Sequence, residues 1–346
     1  MRTPATRTKT QTLIMAGGVS LLALVGICLV AWGATRATHS RHTASPPAQT
    51  QTPPVTVSPL VLQQASSTSA PASGANGASS PAASPAMAFD AKSAMACIDQ
   101  IAAAIGPRVA GSQAERRARD YVVNRLTKEG YSPHVQPVPI WQGGTSGNII
   151  AERAGGNRVI IIGAHLDSVA VAPGANDNAS GVAVALELSR RFAHATLPYT
   201  LRFVVFGAEE GQYRGGHSVA GTGRHGSGYY VDSLGPAERK RVAVMINMDM
   251  VGAGPELDLG DRSENGQAPA LKSLEIAQSL GYAARFDKFG GKSDYAPFHE
   301  AGMPILAVAW GDDPSHHTPQ DKPSIVDPNK MKEVYDILGR YLETYS

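Results

Sequence analysis

Five short stretches of this sequence put histidines or carboxylates directly beside apolar runs, where a bare charge is costly unless something pairs with it. The run Val159 to Gly163 leads into Ala164-His165-Leu166-Asp167-Ser168, a His and an Asp two residues apart. Asn176-Asp177-Asn178 follows in a glycine-flanked turn. Glu209 and Glu210 stand together after the run ending at Gly207, and adjacent acids repel unless a cation lies near them. Asp249 sits among apolar residues in Asn247-Met248-Asp249-Met250, and His316-His317-Thr318-Pro319-Gln320-Asp321 follows Ile305 to Trp310. Taken singly, each stretch has a bland explanation in helix capping, turn chemistry or a solvent-facing acid. Taken together, two histidines and four or five carboxylates without cysteine form a donor set suited to zinc or a similar divalent ion. The set exceeds what one ion needs. Two ions about 3.5 to 4 Å apart, bridged by a carboxylate, would use it all and leave one acid as a base.

Such residues must be held by a rigid frame. Asn148 to Ala151, Val159 to Gly163, Leu201 to Gly207, Val242 to Asn247 and Ile305 to Trp310 read as short, mainly apolar strands. Helical apolar spacing recurs over Ala91 to Ile105, Glu115 to Glu129, Gly181 to His194, Pro269 to Leu280 and Lys330 to Tyr345. Apolar strands alternating with helices indicate a sheet covered on both faces. The expectation is a three-layer αβα domain with a mostly parallel, mixed central sheet, whose site lies beyond the carboxyl ends of the strands.

All 29 acidic residues lie from Asp90 onward, with 26 of the 31 basic ones, so residues 90–346 carry about −3 although the whole chain carries +2. This weakly acidic region has no basic footprint for nucleic acid. Residues 1–12 form a basic tail, expected to be cytoplasmic. Leu13 to Gly33 gives 21 residues without a charge, long enough to span a membrane as an uncleaved signal anchor, cleavage near Ala34 to Ala37 being the alternative. Either way residues 90–346 are expected outside the cytoplasm, anchored or secreted. Residues 34–89, which lack charge from His42 to Phe89 and are rich in Ala, Ser, Thr, Pro and Gln, read as a disordered tether. Cys28 lies in the anchor, so Cys97 is left as a small packed residue. Gly211 to Gly228, with His217 and His225, reads as a glycine-rich rim and not a further metal site.

In order and spacing, these motifs resemble metallopeptidase family twenty-eight (clan MH), co-catalytic zinc aminopeptidases related to glutamate carboxypeptidase and the transferrin receptor ectodomain. The likeness runs from about Ser146 to Lys322. It implies a zinc-peptidase, phosphorylase/hydrolase-like fold and two zinc ions per chain, with His165 and Asp249 on one, Glu210 and His317 on the other, and Asp177 bridging them. It further implies Glu209 as general base, Asp167 orienting His165, a cis peptide at Asp177-Asn178, and peptides with a free N-terminus as substrates. Many relatives carry an oxyanion-stabilising Tyr before the late His, where this chain has His316. His316 could donate the same hydrogen bond, stand at the surface, or compete with His317 as ligand. The rival readings are a glutaminyl cyclase using one zinc and a catalytically dead binding ectodomain, the latter disfavoured because every ligand position and the base are present. A carboxypeptidase is disfavoured because no cluster of Arg lies near the motifs to grip a substrate carboxylate.

Overall fold

The computed structural model describes residues 87–140, 144–210, 213–214, 217–218 and 224–345. The chain divides into two units, Met1–Gly77 and Ala78–Ser346, and the described residues all belong to the second. The expected tail, the anchor Leu13 to Gly33 and the tether up to residue 86 lie outside them. Among the described residues no helix is long and apolar enough to cross a membrane.

Strand formation follows the apolar runs. β1 (His134–Pro139), β2 (Thr145–Arg153), β3 (Val159–His165), β4 (Thr200–Phe206), β7 (Val242–Met248), β8 (Leu257–Asp261), β9 (Arg285–Lys288) and β10 (Ile305–Trp310) form one sheet in the order β1-β2-β4-β3-β7-β10-β8-β9. A separate pair, β5 (Tyr213–Arg214) and β6 (His217–Ser218), is antiparallel. The four central strands β4, β3, β7 and β10 are mutually parallel, whereas β1, β2 and β8 add antiparallel pairings. β1 carries Pro137 and Pro139, which an edge strand tolerates because its outer N–H groups need no ladder partner.

Alternation along the central strands sends apolar side chains to both faces. Ile160, Ile162, Leu201, Phe203, Val244 and Ile246 join one core, and Val159, Ile161, Val204, Phe206 and Met245 join the other. The first core is roofed by α1 (Ala91–Ile98), α2 (Gln113–Lys128), α3 (Gly181–Phe192), α6 (Ala268–Ser279) and α8 (Pro328–Thr344). The second lies under α4 (His225–Ser233) and α7 (Tyr295–Glu300), with α5 (Pro236–Arg241) leading into β7. This is the expected three-layer αβα architecture. Helix starts carry side-chain caps: Asp90 accepts from Ser93 N, Ser112 from Glu115 N, and Asp327 from Asn329 N. On α8, Met331, Val334, Tyr335, Leu338, Tyr341 and Leu342 share one face at helical spacing and are buried. Cys97 is buried in the same layer, and burial pushes its thiol up to about 12, so it is a packed thiol and not a nucleophile.

β4 and β7 flank β3 on opposite sides, so the chain leaves β3 toward one neighbour and returns to the other. The crevice beyond the carboxyl ends of these strands is the switch point of the sheet.

Candidate metal centre

His165 is the last residue of β3, Glu209 and Glu210 follow β4, Asp249 follows β7, and His316 and His317 lie on the turn after β10. Asp177 lies in the kinked turn Ala175–Ser180 before α3, with a cis peptide to Asn178. Side chains spread over 153 residues of sequence thus meet at one end of the sheet.

Asp177 is the hub. Its Oδ1 lies 3.2 Å from His165 Nε2, which is also 3.3 Å from Asp249 Oδ1. Its other oxygen, Oδ2, lies 3.3 Å from His316 Nε2 and 3.3 Å from His317 Nε2. His317 Nε2 is in turn 2.8 Å from Glu210 Oε2. A tetrahedral zinc site with donors at about 2.0 to 2.1 Å separates neighbouring donors by about 3.3 Å. The groups His165-Asp177-Asp249 and Asp177-His316-His317 each bring together three potential metal donors, one of them an oxygen of Asp177. Glu210 Oε1 is buried without a hydrogen-bond partner among the described residues, a lone donor atom that a cation would satisfy.

Each donor is held from behind. Asp321 accepts from the backbone N–H groups of Asn176 at 2.6 Å and Asp177 at 3.1 Å, so the segment after His317 fixes the bridging residue. Asn178 ties the same turn to the end of β7: its Nδ2 donates to Met248 O at 2.8 Å, and its Oδ1 accepts from Met250 N at 3.3 Å. Asp249 Oδ2 accepts from the Ser293 hydroxyl at 2.7 Å, and Ser293 accepts from Asn247 Nδ2, which leaves Oδ1 facing His165. Three non-glycine residues beside these side chains have left-handed backbone: Ala208 at φ 56°, Met250 at φ 56° and His317 at φ 57°. Strain of this kind persists where the surroundings dictate the conformation.

The Asp167 carboxylate has a different principal contact from the one expected. Its oxygens accept from Glu209 N at 3.0 Å and Glu210 N at 3.1 Å, whereas its distance to His165 Nδ1 is 3.7 Å. His165 Nδ1 is closer to the Asp167 carbonyl, at 3.2 Å. Asp167 thus orients the pair of glutamates through their backbone and the imidazole through its own main chain.

The clustered imidazoles and carboxylates shift one another's proton affinities. Burial alone would lower the His165 imidazole, but Asp249, Asp167 and Asp177 hold it well above 6.5. Hydrogen bonds to Asp177 and then Glu210 raise His317 to about 10. Burial works to raise Asp177, yet the three imidazoles keep it well below 3.8. Burial and then Asp177 raise Glu210 to about 7. Glu209 is pushed well above 4.5 by burial; His165 pulls it back, while Asp294, Asp249 and Glu210 add to the rise. A divalent ion would displace the imidazole protons, because only neutral imidazole is a ligand.

Several residues that hold or tune the cluster escape the reading from sequence. Asp294 is wholly buried, acts on Glu209 through its charge and is raised by burial to about 7; both its oxygens lack a partner among the described residues, the nearby Ser227 hydroxyl donating to Arg224 O at 3.1 Å. Ser293 and Asp294 follow a glycine-rich turn and not an apolar strand, so the strand-end criterion passes over them. Arg108, also wholly buried, donates to the carbonyls of Leu166 at 2.8 Å, Pro173 at 2.5 Å and Gly174 at 3.0 Å, spanning both ends of the loop between His165 and Asp177. Its charge lies under a group of carboxylates, of which Asp167, Asp321 and Asp177 act most strongly on it. The visible signal was a lone Arg in an otherwise apolar turn. Gly174, at φ 68°, closes this loop where a Cβ would meet Asp177 O and the Arg108 guanidinium.

Glu115 underpins the glutamate loop from the other side. Its carboxylate accepts from Gly111 N at 2.6 Å and from the Ser146 hydroxyl, and a Cβ on Gly207 would collide with that pair. Burial raises Glu115 from 4.5 to about 7, so the folded state binds a proton that the unfolded chain releases between those values. Its contribution to stability is whole below pH 4.5 and declines as pH rises toward 7, with a slope of at most about 1.4 kcal/mol per pH unit. Glu115→Gln is expected to flatten this decline in urea unfolding followed across that range. An unchanged slope would show that Glu115 stays ionised.

His225, from the glycine-rich rim, bonds Pro139 O at 2.7 Å. A surface cavity of about 560 Å³ between α4 and α7, lined by Arg224, Tyr229, Arg239, Pro297 and Glu300, includes none of the clustered residues.

The model of Peptidase family M28 matches residues 148–342. Aminopeptidase YwaD of Bacillus subtilis is 35% identical over 208 residues, covering 56% of this chain and 43% of that protein. The chain spans less than half the length of the curated relatives it matches. Among solved structures, the zinc aminopeptidase BSAP from Bacillus subtilis superposes with a TM-score of 0.65 at 23% identity, covering 72% of this chain and 94% of that one. Bacteroides thetaiotaomicron glutaminyl cyclase superposes with a TM-score of 0.66 at 22% identity, covering 75% and 100%. Both superpositions speak for the fold alone, since an aminopeptidase and a cyclase fit it equally well.

Proposed function

Given that this chain belongs to peptidase family M28, we propose that it is a zinc aminopeptidase that hydrolyses the N-terminal bond of peptides with a free α-amine. The observation that carries the reading is the divided use of Asp177, one oxygen facing His165 and the other facing the histidines of the last turn. On this reading His165, Asp177 and Asp249 would hold one zinc, and Asp177, Glu210 and His317 the other. Bound there, the pair would supply Lewis acidity toward the scissile carbonyl and lower the pKa of water.

The chain's own residues then account for proton transfer and positioning. Glu209 is the general base: it takes the proton of the attacking water and passes it to the leaving amine. No hydrogen bond holds its carboxylate among the described residues, and its proton affinity is raised by burial and by Asp294, as a group cycling between acid and base near neutral pH requires. Asp167 fixes its backbone, and Arg108 and Asp321 fix the loop carrying Asp177. The uncharged run Leu13 to Gly33 supports export of this domain, anchored or released.

Purified protein is expected to contain two zinc ions per chain and to release arylamine from aminoacyl anilides but not from their N-acetylated counterparts. Cyclisation of N-terminal glutamine with one zinc and no anilide hydrolysis would replace the peptidase reading by that of a cyclase. Metal binding without either reaction would leave a binding ectodomain.

A further inference from the structure

We propose that His316 is itself a metal ligand, so that the second position of this site has two imidazoles, His316 and His317, on one bridging carboxylate. This rests on the two-metal reading above and goes beyond its ligand set.

The two Nε2 atoms approach the same oxygen, Asp177 Oδ2, at equal distances of 3.3 Å. With that oxygen they form a three-donor group whose atoms all lie within 4.8 Å of one another. The imidazole rings form a tilted pair with centroids 3.8 Å apart and planes 36° apart. Hydrogen bonding alone explains this poorly. An N–H to oxygen bond is normally about 2.7 to 3.2 Å long, and both approaches are longer than that. Two imidazoles and a carboxylate sharing one cation need no such bond, and about 3.3 Å is the donor separation expected of a tetrahedral zinc site.

The backbone is shaped to bring these rings together. Consecutive side chains of an extended segment point to opposite sides, so neighbouring histidines ordinarily diverge. Here His317 has φ 57°, a left-handed conformation that turns its ring back toward that of His316. The turn is closed by Thr318 N to Ser315 O at 3.0 Å and His316 N to Asp313 O at 3.2 Å. Asp313 also accepts from Asn176 Nδ2 at 2.8 Å, which fastens the turn to the residue preceding Asp177. An oxyanion donor would need a free N–H directed at the substrate, whereas the His316 Nε2 faces Asp177. A second imidazole also moves the donor set toward zinc, cobalt, nickel and copper and away from manganese or magnesium.

The test is zinc titration of full-length apoprotein against a chromogenic chelator, together with the visible spectrum of the cobalt-substituted protein. Wild type is expected to bind two ions. His316→Ala should bind the first with wild-type affinity and the second about tenfold or more weakly, with altered cobalt absorption. His316 is half-exposed, so the apo variant should melt at the wild-type temperature. Two ions of unchanged affinity and spectrum in His316→Ala would overturn the inference and leave His316 as an oxyanion donor or a surface group. A single ion in wild type would instead overturn the two-metal reading, and this inference with it.

Discussion

Glu209→Gln is expected to lower kcat roughly a thousandfold, within the range of a lost general base, while zinc content and melting temperature stay at wild-type values. The amide matches the carboxylate in shape but cannot take a proton from water. Glu209 stands outside both donor groups, so its loss removes no ligand. Its backbone N–H remains bonded to Asp167, which keeps Glu210 in place. The amide also removes an ionisation that burial and Asp294 oppose, which offsets the burial of its own polar group. The decisive measurement pairs turnover of an aminoacyl anilide with metal analysis of the same sample. A variant that keeps a tenth of wild-type kcat would sink the assignment of Glu209 as base; one that loses zinc would make it a ligand.

Asp177→Asn is expected to abolish activity by a different route, the loss of both metal positions. On the proposed two-zinc reading each position would take one oxygen of this carboxylate, and the amide offers one weak acceptor and no charge. Wild type should gain stability from zinc by mass action, about 2.7 kcal/mol at a hundred times the dissociation constant. In Asp177→Asn that zinc-dependent rise in melting temperature should vanish. Comparing apo with zinc-loaded samples of each protein separates this from any change in the fold itself. Two bound ions and a full thermal shift in the variant would rule out a bridging role.

The contrast between these variants follows from where the two acids sit. Glu209 gains proton affinity from burial and neighbouring acids, whereas Asp177 loses it to three imidazoles. Both are buried carboxylates, Glu209 just after β4 and Asp177 in the turn before α3, and residue type alone assigns neither role. Their environments set them apart.

Apolar runs and the polar residues ending them were legible from the sequence because burial acts on each segment locally. β3 and β10 show as continuous apolar runs, β4 and β7 as runs interrupted by Arg202 and Asn247, and His165, Glu209, Glu210, Asp249 and His317 stand out against them. The strands β1, β8 and β9 were not legible: β1 is rich in proline, β8 carries two acids and β9 is mostly exposed and charged. They form by pairing with a sheet that already exists, not by their own pattern.

What the sequence determined by itself is the kind of chemistry: an imidazole and carboxylate donor set without thiolate, placed at the ends of buried strands. What only the tertiary structure decided is which atoms meet. Asp167 turned out to hold the glutamate backbone, Arg108 and Asp321 to hold the loop of Asp177 from positions 69 residues before and 144 residues after it, and Asp294 to act on Glu209 through its charge. His316 and His317, adjacent in the chain, converge on one oxygen because of a single left-handed residue. Sequence spacing records local periodicity, whereas these contacts depend on strand order and loop closure, which the packed sheet alone establishes.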